Sequence, residues 1–134
     1  WASLLHEIGL SISYHRHYKH SAYLVEHADL DGFSRTDQKI IATILYNHKR
    51  RFNLDDFEYL PDFVVLLTII LRISVLLHRS REPQPMPEFD FSYDNKKISL
   101  AFPIGWIDEH PLIQQDLELE QEWLSEFKLK IEWQ

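Results

Sequence analysis

EPQPMPEF, residues 82–89, sets three prolines at alternate positions, Pro83, Pro85 and Pro87. A proline lacks the backbone N–H and fixes φ, so no helix continues through this stretch and an extended connection is expected. The hydrophobic period changes across it. Upstream, apolar residues recur at three- and four-residue spacing; downstream they alternate with polar ones. The chain therefore divides into a helical lobe over 1–82 and a small α+β lobe over 83–134, mostly α in sum.

The upstream periodicity predicts helices over roughly 1–9, 20–29, 35–51 and 61–80. Gly9 suits the end of the first and Asp31-Gly32 the end of the second, because glycine takes left-handed backbone at little cost. Ser34 has the character of an N-cap, with Asp37 as its box-like partner. Ile40, Ile41, Ile44 and Leu45 give the third helix its apolar face. Pro61 and Asp62 fit the opening of the fourth, where a missing N–H costs nothing and an acid meets the positive end of the dipole. FVVLLTIIL, residues 63–71, is apolar nearly all round and predicts the buried helix of the lobe.

Downstream, Phe89-Phe91-Tyr93 and Ile98-Leu100-Phe102 alternate on either side of Asp94-Asn95-Lys96, a hairpin pattern. Pro111 opens a helix to about Phe127, with Leu112, Leu117, Trp123, Leu124 and Phe127 inward and Glu118, Glu120, Glu122 and Glu126 on a solvated face. KLKIEW, residues 128–133, alternates again and adds a strand beside the hairpin, giving ββαβ.

The chain has 134 residues and a formal net charge of −7, which argues against general affinity for nucleic acid or anionic membrane. The deficit is local: the first lobe is neutral and carries basic clusters, the second is acidic. No cysteine is present, so disulfides and thiolate metal sites are excluded and a reducing, cytoplasmic compartment is expected. The run at 63–71 meets Arg72 too soon for a membrane span. Trp1 is not an initiator methionine, and Trp1, Leu4, Leu5 and Ile8 already form an apolar stripe, so a fragment of a larger protein is expected.

Two clusters invite chemistry. His6, Glu7, His15, His17 and His20 lie close in sequence, and imidazole with carboxylate is the donor set of hydrolytic metal sites. However, His6 and Glu7 point about 100° apart on a helix and need ligands from other elements, and no HExxH motif occurs. A metal-free polar role for each histidine fits equally. Asn47-His48-Lys49-Arg50-Arg51 closes the third helix, where cations complement the dipole. With Arg16, Lys19, His20, and Arg72, Arg79 and Arg81 of the fourth helix, the same residues could make a multidentate phosphate site. Tyr23, Tyr46 and Tyr59 read as core-edge residues. No Gly-rich phosphate loop or nucleophile elbow is present, so no catalytic residue is assigned.

LLHEIGLSI (4–12), KHSAYLVEHADLDGFSRTDQ (19–38), IIATILYNHKR (40–50), LLTIILRISVLLHRSR (66–81) and FPIGWIDEHPLIQQDLELE (102–120), in that order, resemble the C-terminal region of the Ppx/GppA family. These are exopolyphosphatases and guanosine pentaphosphate phosphohydrolases. The resemblance implies that catalysis, with its glutamate base, phosphate loops and Mg²⁺, belongs to actin-like N-terminal domains outside this chain. A non-catalytic fragment with no cofactor of its own follows. It would pack against those domains, take part in a homodimer, and contact inorganic polyphosphate or pppGpp.

The helical lobe also resembles the HD superfamily of metal phosphohydrolases, but departs from its ligand pattern. His6-Glu7 replaces His-Asp, the upstream histidine would lie at or before Trp1, and Arg72 and Ser74 stand near the place of the late aspartate. The resemblance therefore implies no metal centre, with His6 and Glu7 as weak candidates only. The Ppx/GppA resemblance, by contrast, carries phosphate contact over to His20 and to His48, Lys49 and Arg50, with Lys19 and Arg16 behind them. The alternatives are an independent HD-type metal phosphohydrolase and a purely structural interaction domain.

Overall fold

A computed structural model describes residues 1–79 and 86–134, with Leu54 by its backbone alone. Two compact units, Trp1–Arg72 and Ile73–Gln134, are resolved by their contacts, and the division falls within the fourth helix. Of the expected proline boundary, Pro83 and Pro85 lie outside the described residues, as does Arg81.

The first unit holds α1 (Ala2–Leu5), α2 (His17–His27), α3 (Arg35–Asn47) and the start of α4 (Phe63–Leu77), with 3₁₀ turns at Ile8–Ser11 and Leu54–Phe57. α1 is shorter than the expected 1–9, and the reason given for Gly9 needs correcting. Gly9 is not among the positive-φ residues. Instead its hydrogen faces α2: a Cβ there would collide with the His17 carbonyl and lie 2.5 Å from the Ser21 amide nitrogen. The Gly9 N–H donates to Ser21 Oγ at 2.9 Å, and that hydroxyl donates to the His6 carbonyl at 3.1 Å, fastening the turn to α2.

α3 begins as expected. The Asp37 N–H donates to Ser34 Oγ at 3.1 Å while the Ser34 N–H donates to Asp37 Oδ2 at 3.0 Å, a reciprocal capping box. Bonds from the Ser34 hydroxyl and N–H hold the Asp37 carboxyl below its ordinary pKa. Gly32, at φ 86°, takes the left-handed turn before it. α2 and α3 pack through Ala22, Val25, Ile41, Ala42 and Leu45, flanked by Ala2, Leu5, Leu30 and Phe33. Each fully buried leucine or valine here contributes roughly 1.5–3 kcal/mol. α4 is not buried all round. Val64, Thr68, Ile69, Leu71 and Arg72 face inward, whereas Phe63, Leu67 and Ile70, spaced four and three apart, form an exposed apolar stripe.

The second unit contains β1 (Asp90–Asp94), β2 (Lys97–Ala101), α5 (Pro111–Ser125) and β3 (Lys130–Trp133), in sheet order β1-β2-β3. β1 and β2 pair antiparallel with Phe91 opposite Leu100 and Tyr93 opposite Ile98. Their two-residue turn, Asn95-Lys96, has φ of 46° and 63°, the double left-handed geometry that matches strand twist. β3 runs parallel to β2, which requires a crossover, and α5 supplies it. The buried positions of α5 are Ile113, Leu117, Glu120 and Leu124, a helical stripe displaced from the expected one. Leu112 is therefore exposed, and Glu120 is buried rather than solvated like Glu118, Glu122 and Glu126. Among the described residues no helix is long and apolar enough to cross a membrane.

Candidate functional site

Three histidines that are distant in sequence meet in the first unit. His48 lies edge-on to His6 with ring centroids 5.7 Å apart and is tilted to His17 at 5.9 Å. Backbone contacts set their tautomers. His6 Nδ1 donates to the Ser3 carbonyl at 2.7 Å and His48 Nδ1 to the Leu45 carbonyl at 2.6 Å, which in neutral His48 leaves Nε2 as a lone pair. His17 accepts at Nε2 from the Lys49 ammonium, 3.0 Å away, so its ring proton sits on Nδ1. His48 is 2% exposed and His17 7%. His48 Nε2 and His17 Nδ1 have no hydrogen-bond partner among the described residues.

Burial makes the imidazolium form costly, and it is the main reason both rings are held neutral. For His48 burial outweighs the Leu45 carbonyl, with His6, Lys49 and His17 adding repulsion, and the pKa falls to about 3. His17 is also lowered, by burial first and then by the Lys49 charge; the Glu7 carboxylate and the His6 carbonyl pull the other way.

The donor set does not fit a divalent cation. Lys49 occupies the His17 Nε2 lone pair with an ammonium, a charge that repels a metal ion from the same donor. Arg72, near the place where an aspartate would be wanted, instead donates from its guanidinium to the Asn47 carbonyl at 2.6 Å and lies 4.3 Å from the Phe52 ring centroid. Among the described residues no group of three or more His, Cys, Asp or Glu side chains is arranged to hold a metal ion.

Two of the basic candidates, Lys19 and Lys49, reach across between α2 and the end of α3. Lys19 Nζ lies 5.5 Å from the Tyr46 ring centroid, and Lys49 reaches back to His17. Residues 27 to 32 positions apart in sequence are thereby joined into one strip. His20, partly buried on α2, sits beside Lys19 in sequence. Arg16, just before His17, and Arg50, just after Lys49, are exposed, both in left-handed backbone, at φ 55° and 64°. A non-glycine residue there costs roughly 1–2 kcal/mol. His48 is turned into the unit, and its neutral ring lends the strip no charge. Arg79 pairs with Asp116 at 2.9 Å within the second unit.

The end of α3 is fixed from behind. Asn47 Nδ2 donates to Asp56 Oδ2 at 3.0 Å, and Asn47 Oδ1 accepts from the Asn53 N–H at 3.0 Å, while Arg72 caps the Asn47 carbonyl. Sequence reasoning missed this network and the inward place of His17, which lies before the helix expected over 20–29. A signal existed for His17: with Ser21 and Val25 it keeps four-residue spacing, one face of a helix that begins at 17 rather than 20.

A family model described as Ppx/GppA phosphatase, domain III, matches residues 1–121. A guanosine-5'-triphosphate,3'-diphosphate pyrophosphatase of Aeromonas salmonicida is 35% identical over 126 residues, 91% of this chain and 25% of that protein. Its namesake from Pseudoalteromonas translucida is 33% identical over 132 residues, 96% of this chain and 26% of that protein. The chain thus spans about a quarter of the length of the curated relatives it matches.

Proposed function

The chain belongs to the Ppx/GppA phosphatase family, of which it carries domain III, and from that premise we propose that it is a non-catalytic polyanion-binding and packing module. The parent releases terminal phosphate from inorganic polyphosphate or from pppGpp, with Mg²⁺ and the catalytic groups in actin-like domains outside this chain. The observation that carries the reading is the pair of cross-contacts between α2 and the end of α3, Lys19 over the Tyr46 ring and Lys49 on His17. Lys19, His20, Lys49, Arg50 and Arg16 contact phosphate oxygens by charge-assisted hydrogen bonds, while buried, neutral His48 makes no such contact. The HD-like features, His6 and Glu7 above all, are remnants of a metal motif.

Polyphosphate binding to the chain at two salt concentrations tests this. The His20/Lys49/Arg50 triple alanine variant is expected to bind more weakly, with a shallower salt dependence, because fewer cations release counterions. Equal binding and equal slope would refute it. The apolar stripe Phe63, Leu67 and Ile70 supports the packing role, against the rest of the parent or a second copy. Light scattering of the chain and of an Leu67→Glu variant distinguishes these: a dimer lost on substitution indicates a second copy.

A further inference from the structure

The sheet of the second unit ends on one side at β3 and on the other at β1, and the two edges differ. At the β3 edge the Ile131 N–H donates to Gln121 Oε1 of α5 at 2.6 Å, so a helix side chain takes up an edge donor. At β1 the hairpin turn is the two residues Asn95-Lys96, so the closing pair Asp94 and Lys97 exchange hydrogen bonds, as do the alternate pairs Ser92–Ser99 and Asp90–Ala101. The Gln134 N–H donates to the Leu100 carbonyl at 3.2 Å, in keeping with a Leu100 that turns its backbone to β3 and not to Phe91. The N–H and C=O groups of Phe91 and Tyr93 therefore point away from β2, along an edge that no described strand pairs.

We propose that β1 accepts a further strand, an extended segment of a separate polypeptide in which apolar and basic side chains alternate. Phe91 and Tyr93 lie on the same face as their cross-strand neighbours Leu100 and Ile98, which are buried, but are themselves 41% and 43% exposed. Apolar residues opposite them continue the buried face. Asp90, Ser92 and Asp94 take the other face, all of them exposed. Lys97, across from Asp94, is held by Glu132 at 2.6 Å, and among the described residues neither aspartate is paired with a cation. Lysine or arginine opposite Asp90 and Asp94 supplies the missing charges, and the acidic unit attracts such a segment from a distance. A second copy of this chain does not meet these terms. Antiparallel pairing of β1 with β1 along its whole length sets each Asp90 opposite an Asp94 of the other copy, like charges face to face. The inference lies in the second unit and is independent of the polyanion reading.

Amide hydrogen exchange of the chain, with and without a capped peptide built around lysine-valine-threonine-valine-lysine, tests this. Saturating peptide should slow exchange at the Phe91 and Tyr93 amides roughly tenfold or more. N-methylation of both valines, which in antiparallel register present their N–H groups to β1, should abolish that protection. N-methylation of the threonine, whose N–H points away, should leave it, and glutamates in place of the lysines should remove binding. Asp90→Asn with Asp94→Asn changes exposed side chains and no ladder bond, and should weaken binding roughly fivefold. No protection at Phe91 and Tyr93, or equal protection by the valine-methylated peptide, overturns the added strand; binding that the double variant does not weaken overturns the basic partner. Protection already present without peptide also overturns the proposal. If it grows with chain concentration the edge is filled by a second copy, and if it arises only in the parent protein, by another part of that protein.

Discussion

Acid should unfold the first unit through His48. Its folded pKa of about 3 lies below the ordinary histidine value of 6.5, so the folded chain refuses a proton that the unfolded chain accepts. Stability from the neutral ring is complete above about pH 6.5 and is lost as pH falls towards about 3. Between about pH 7.5 and about pH 5 the unfolded state gains nearly a full proton at this site, which amounts to about 2 kcal/mol. His17, shifted in the same direction, adds to the loss. Urea unfolding followed by tryptophan fluorescence at both pH values measures the sum. A His48→Met variant isolates the His48 part: it is less stable at neutral pH, because the bond to the Leu45 carbonyl is gone, but its stability falls less on acidification. A pH dependence identical in wild type and His48→Met, or a His48 ring that titrates near 6.5 in the folded protein, would refute the reasoning.

Gly9→Ala drives a methyl into the His17 carbonyl and the Ser21 amide, both backbone, and should cost about 3 kcal/mol or more in urea unfolding. Arg50→Gly relieves left-handed backbone and should raise the melting temperature by an amount worth about 1 kcal/mol while weakening polyphosphate binding, separating stability from affinity. Arg72→Met leaves the Asn47 carbonyl without its guanidinium and should cost about 2 kcal/mol; if Asn47 and Asp56 hold the end of α3, protease sensitivity rises first at residues 48–57.

Elements governed by local rules were legible in the sequence. Ser34 and Asp37 form their box, Asn95-Lys96 turns the hairpin, and Pro111 opens α5, because caps, turns and prolines act within a few residues. What failed depended on approach between distant segments. Gly9 was read as a left-handed stop, and only the passage of α2 across it shows that it is there for lack of a Cβ. α4 has no polar face to mark its exposed side, so Phe63, Leu67 and Ile70 could not be told from core. The site divided in the same way. Lys19, His20, Lys49 and Arg50 stood out by charge, whereas the inward turn of His17 and His48 follows from the packing of α2 on α3.

The central claim is that phosphate chains meet this domain along the α2–α3 strip. Amide chemical-shift changes on adding inorganic polyphosphate to the chain test it most directly. The account predicts that they concentrate at residues 16–20 and 46–51 and diminish with added salt. Changes confined to the second unit, or spread evenly over both, would contradict it.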